Sequence, residues 1–100
     1  MKLTEIKYKD KIIKVEFKNI EDYAIYYYND NKLVIRKNLT KRTLGKTLFH
    51  ELFHIIISVN DFKVAPHGEE RVAEWSEEYY NILKQNKVLR NLLNRCILVE

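Results

Sequence analysis

The sequence predicts an α+β fold: a small antiparallel sheet of three or four strands, then a long helix, a second helix and a short C-terminal helix. Two observations carry this reading. Residues 3–36 fall into short runs rich in Ile, Val, Tyr and Phe, partly alternating with polar residues and separated by turn clusters. From Thr40 onward the apolar residues recur every three or four positions instead. Composition sets the scale. One hundred residues that are 46% hydrophobic, with two glycines and one proline, suit a single domain spanning 1–100 rather than a disordered chain.

The first strand runs from Leu3 to Lys9 and the second from Ile12 to Phe17, where Ile13, Val15 and Phe17 alternate with Lys14 and Glu16. Asp10-Lys11 is the tight turn between them. Tyr23 to Tyr28 is aromatic and β-favouring, Asn29-Asp30-Asn31 is a turn cluster, and Leu33-Val34-Ile35 returns as the next strand. Two hairpins, or one small antiparallel sheet, account for this pattern.

The long helix spans Thr40 to about Val59, with Thr40 as N-cap and Leu44, Leu48, Phe49, Leu52, Phe53, Ile55, Ile56 and Val59 in a wide apolar stripe. Gly45 is unusual inside a helix and implies close approach of another backbone. Asn60-Asp61 ends the element, and residues 61–68 form a connection punctuated by Pro66 and Gly68. The second helix begins near His67 or Glu69 and runs to Lys84, with Glu69 and Glu70 at its positive end. The third runs from about Lys87 to Arg95, with Val88, Leu89, Leu92 and Leu93 on one face.

Several function classes are disfavoured at once. The net charge is +4, but lysines and acids are interspersed, which describes a solvated surface better than a nucleic-acid interface. The single cysteine, Cys96, leaves no intrachain disulfide and reads as a small residue on the last helix. The start, Met1-Lys2-Leu3-Thr4-Glu5, has no signal core, and apolar runs such as Ile55-Ile56-Ile57 are far too short to span a bilayer. The expectation is a cytoplasmic protein without a membrane partner.

One motif carries chemistry: His50-Glu51-Leu52-Phe53-His54. Histidines four apart on a helix project from one face, one turn from each other, so both imidazoles can reach one Zn²⁺ at about 2.0–2.1 Å. Glu51 lies roughly 100° around the helix from His50. There it can take a proton from a water activated by the metal without ligating the ion itself. This is the physical content of an H-E-x-x-H motif. Chance would supply the pattern on the order of once in a hundred such chains. Its place mid-helix, and its use of two of the three histidines, raise it above two ordinary surface histidines. A catalytic zinc needs a third protein ligand, and the start of the second helix offers His67, Glu69, Glu70 and Glu74.

The motif, followed by Glu70-Arg71-Val72-Ala73-Glu74, resembles the gluzincin pattern. The size, strand-rich start and paired helices are similar to the minigluzincins. These are soluble scaffolds of about a hundred residues, themselves similar to the catalytic domains of membrane-embedded metallopeptidases. The resemblance covers most of the chain. It implies a zincin-like fold and a zinc metalloendopeptidase in which Glu51 is general base and then proton donor. The gluzincin match implies Glu70 as third ligand, with Glu74 orienting a metal histidine where the family usually has Asp. The minigluzincin match implies a histidine as third ligand, and His67 is the only one remaining. The implied set is His50, His54 and His67, with Glu70 as the alternative or as an outer acceptor.

Lesser features complete the expectations. Tyr79 or Tyr80 could reach the cleft to stabilise an oxyanion, although such tyrosines more often pack in cores. If the strand Lys32 to Arg36 is a sheet edge, it would bind a peptide or protein substrate by backbone pairing. Residues 87–100 are more apolar than a solvated tail and are expected to serve latency or a homo-oligomer. Two rival readings remain, a catalytically silent zincin-like binding module and a basic nucleic-acid-associated domain.

Overall fold

A computed structural model describes residues 2–60 and 68–97, with the backbone alone over 68–73. Four strands form one sheet: β1 (Glu5–Tyr8), β2 (Lys11–Lys18), β3 (Ala24–Tyr27) and β4 (Lys32–Arg36). Three helices follow: α1 (Lys41–Asn60), α2 (Gly68–Gln85) and α3 (Lys87–Ile97). The α+β class and the order of elements match expectation. The first turn falls one residue earlier than the sequence suggests. Tyr8 pairs with Lys11, and Lys9 takes the left-handed conformation at φ 54°.

The sheet is mixed rather than antiparallel. Its order is β1-β2-β4-β3, with β2 and β4 parallel and the other two pairs antiparallel. Burial explains the correction. Leu33, Val34 and Ile35 are all buried, on both faces of the sheet. A strand apolar on both sides belongs at the centre. The β3 strand, whose Tyr27 is exposed, is left at the edge. The Lys32–Arg36 strand is therefore not an edge, and β3 takes that place.

Alternation along β2 and β4 separates the two sheet faces. Ile6, Tyr8, Ile13, Val15, Leu33 and Ile35 point into a single core shared with Leu48, Leu52, Ile55 and Ile56 of α1. Ile82 of α2 and Leu89 and Leu93 of α3 complete it. The other face carries Lys14, Glu16, Lys18 and Lys32, with Glu16 paired to Lys18 at 3.0 Å and to Lys32 at 3.4 Å. Thr40 caps α1 as expected, its Oγ1 accepting from the Thr43 amide at 3.2 Å. Gly45 faces α3, where an added Cβ would stand 2.9 Å from the Cβ of Cys96. The apolar residues of 87–97 thus join the core through Leu89, Leu93 and Cys96, and Ile97 stays exposed.

Two polar devices fix the helices to the sheet. The buried side chain of Asn86, at the break between α2 and α3, accepts from the Lys7 amide at 2.7 Å and donates to the Lys7 carbonyl at 2.7 Å. It occupies the free edge of β1 as a neighbouring strand would. The Tyr8 hydroxyl donates to Glu78 of α2 and accepts from Asn60 at the end of α1, each at 2.5 Å. One tyrosine thereby sets the spacing of the two long helices.

Replacing Asn86 by Ala strands both Lys7 groups. Urea denaturation should show a loss of about 1–3 kcal/mol. Asn86→Asp, which cannot donate to the Lys7 carbonyl while ionised, should also destabilise. A midpoint unchanged by either substitution would refute the edge-capping role.

Candidate active site

The 3.6-residue period gives α1 three faces with different surroundings. Leu48, Leu52, Ile55 and Ile56 go to the core. Phe49 and Phe53 turn to α2, where Phe53 meets Tyr79 and Trp75 at ring separations of 4.4 Å and 5.8 Å. The remaining face, which includes His50, Glu51 and His54, opens on a groove between α1 and the edge strand β3.

His50 and His54 converge. Their Nε2 atoms lie 3.0 Å apart and their rings meet edge-on at 71°. Two nitrogens bound to one zinc at a tetrahedral angle would stand about 3.3 Å apart. The pair therefore fits a shared cation with little adjustment. Both rings are exposed to the groove, while Glu51 between them is buried, only 7% exposed. Burial pushes the Glu51 carboxyl above the ordinary carboxylate range, and the charges of His54 and then His50 pull it back.

The groove consists of adjoining hollows. One of 540 Å³ lies between Ile25, Tyr26 and Tyr28 on the strand side and Ile57 and Ser58 on the helix. A second, of 580 Å³, shares Asp22, Ala24, His50 and Glu51 with it and extends past Tyr23, Lys46 and Thr47. Asp22, Lys46 and Thr47 are additions to the residues singled out from sequence. Helical spacing could have found two of them, since Lys46 and Thr47 sit one turn before His50 and Glu51. Asp22 reaches the site only because β3 is the edge strand, and that depends on strand order.

Other expectations meet the structure unevenly. His67 lies outside the described residues. Glu70 is placed by backbone alone in the first turn of α2, and Glu74 is exposed on the same helix. Among the described residues, no third His, Cys, Asp or Glu joins the histidine pair closely enough to hold a metal ion. Tyr79 does not serve the groove. Its hydroxyl donates to the Phe49 carbonyl, and burial pushes its pKa upward. Tyr80 is 64% exposed and lines neither hollow. No described residue of α3 lines them either. Among the described residues no helix is long and apolar enough to cross a membrane. Comparisons with protein-family models, curated proteins and solved structures find no match to this chain.

A carboxyl raised by burial destabilises the fold in its charged form. That penalty is absent below the ordinary carboxylate pKa and grows as pH rises through the folded-state value. Metal-free Glu51→Gln should accordingly melt at a higher temperature than the parent protein at pH 7, with the difference vanishing near pH 4. Equal melting temperatures at neutral pH would show that the carboxylate is well solvated.

Proposed function

We propose that this chain is a zinc-dependent peptidase whose working groups are His50, Glu51 and His54. The observation that carries this reading is the pairing of opposites on one helix face: two exposed imidazoles converging through Nε2 and a buried acid beside them. A fold gains nothing from burying an uncompensated carboxylate. A proton-transfer site does gain, because burial moves the acid towards the pH at which it must both accept and donate.

His50 and His54 would hold the zinc, with His67 as third ligand and Glu70 as the alternative or as an outer acceptor. When bound, zinc would polarise a peptide carbonyl and acidify a nearby water. Glu51 takes the proton of the attacking water and delivers it to the departing amine. The two imidazoles would hold the ion beside that carboxylate, and the groove orients the peptide. Substrate pairing belongs to β3, whose outer edge faces the groove, not to the interior strand β4. The resemblance to minigluzincins supports the same assignment.

Zinc content after loading and cleavage of a quenched peptide library test the proposal together. The parent protein should bind about one zinc and cleave peptides. Glu51→Gln should keep the metal and lose about 10²–10⁴-fold in rate. A folded protein that takes up no zinc, or Glu51→Gln that cleaves as well as the parent, would overturn the assignment. The third ligand is read from affinity. His67→Ala should weaken zinc binding well beyond the ~10–100-fold expected of an outer partner, and Glu70→Gln should stay within it. The reverse ranking would make Glu70 the ligand.

A further inference from the structure

The groove does not stop at the histidines. Past Tyr23 and Thr43, which line both, the second hollow adjoins a third of 420 Å³ lined by Arg36, Lys37, Asn38 and the helix cap Thr40. This end is strongly basic. Lys46 lies in its approach, and Arg36 and Lys37 lie in its wall. The Arg36 guanidinium donates to the Glu21 backbone carbonyl at 3.2 Å, which fixes its position without neutralising it. The ion pairs among the described residues involve none of these three cations. The positive end of the α1 dipole adds to them.

The opposite end differs in kind. Ile25, Tyr26, Tyr28 and Ile57 make it apolar and aromatic. Among the described residues Asp22 is the only acid besides Glu51 lining these hollows, and it stands at the junction beside the histidine pair. It disfavours a second negative charge at the centre and leaves the basic end as the place for one.

Direction follows from strand pairing. Antiparallel pairs outnumber parallel ones, and a peptide laid on the free edge of β3 is expected to run against it. β3 leads from the basic end towards the aromatic end. An antiparallel peptide then places its N-terminal part among the tyrosines and its C-terminal part among the cations. We infer that the groove selects peptides with an apolar residue before the cleaved bond and a carboxylate, from an acidic side chain or a free C-terminus, after it. This rests on the hydrolytic reading above.

The test uses zinc-loaded protein and peptides with a common apolar N-terminal half. The C-terminal half carries Glu, Gln or Lys, each as free acid or amide. Cleavage is measured with the parent protein, and binding with Glu51→Gln. Peptides with the added carboxylate after the cleaved bond, Glu over Lys or free acid over amide, should be bound and cleaved at least about tenfold better, an advantage that shrinks as salt is raised. An advantage of free acid over amide shared by the Glu, Gln and Lys peptides would assign the selection to the chain terminus, and a Glu advantage that survives amidation would assign it to the side chain; both support the inference. Lys46→Glu combined with Lys37→Glu, both at exposed positions, should reverse the ranking, with circular dichroism reporting the fold. Equal handling of Glu and Lys peptides together with equal handling of free acids and amides, a ranking untouched by charge reversal, or a preference for acids before the cleaved bond would each overturn it. Cleavage without ranking removes the selection alone. Ranked binding without cleavage removes the hydrolysis and keeps the selection.

Discussion

The helix period of α1 is the constraint on which this molecule turns. A twenty-residue helix has to present Leu48, Leu52, Ile55 and Ile56 to the sheet, because burying each of those side chains stabilises the fold by roughly 1.5–3 kcal/mol. Once that face is fixed, the positions of His50, Glu51 and His54 are no longer free. They come to the flank of the helix, over the sheet edge, with Glu51 turned nearest the core. The burial of the acid is thus a consequence of its place between Leu48 and Leu52. The exposure of the histidines follows from the same geometry.

The strand order completes the site, and it is set by a competition among strands. Leu33-Val34-Ile35 is apolar on both faces and gains most from neighbours on both sides. It pairs with β2 in parallel, although the chain passes through β3 first. The displaced β3 then borders the groove. If β4 had stayed outside, its last residue Arg36 and the adjoining Lys37 would have flanked the histidines. In the actual order they lie a hollow further along, and the edge facing the histidines carries Ala24, Ile25 and Tyr26. Polarity along the groove is therefore a by-product of where the most apolar strand had to go.

This explains what could be read from sequence and what could not. Strand alternation, the Thr40 cap and the wide stripe of α1 are local patterns, and all of them reappear in the fold. The spacing of His50 and His54 is local as well, so their convergence was legible. The parallel pair β2–β4 was not. Turn residues announce hairpins, whereas burial on two faces acts through contacts distant in sequence. Asp22 was invisible for that reason. So was Asn86, whose amide meets Lys7 across 79 positions of chain. Tyr79 looked equally suited to core and cleft, and only packing against Phe53 and the Phe49 carbonyl separates the two.

A fold of one hundred residues has little stability to spare. Placing Glu51 within its core edge works against that margin, and other features offset the burden close to the same helix. The C-terminal end of α1 is tied by Asn60 to Tyr8, and through Tyr8 to Glu78 of α2. Its N-terminal end is capped by Thr40 and pressed at Gly45 against Cys96 of α3. Both ends of the helix are thus anchored by other elements, and the acid sits near its middle. A carboxylate in a loop could escape to water by local opening. In the middle of a helix held at both ends, the backbone that carries it stays in place. That rigidity holds Glu51 in the partly desolvated state that proton transfer requires, and it gives α3 a structural role in the site although none of its described residues touches the groove.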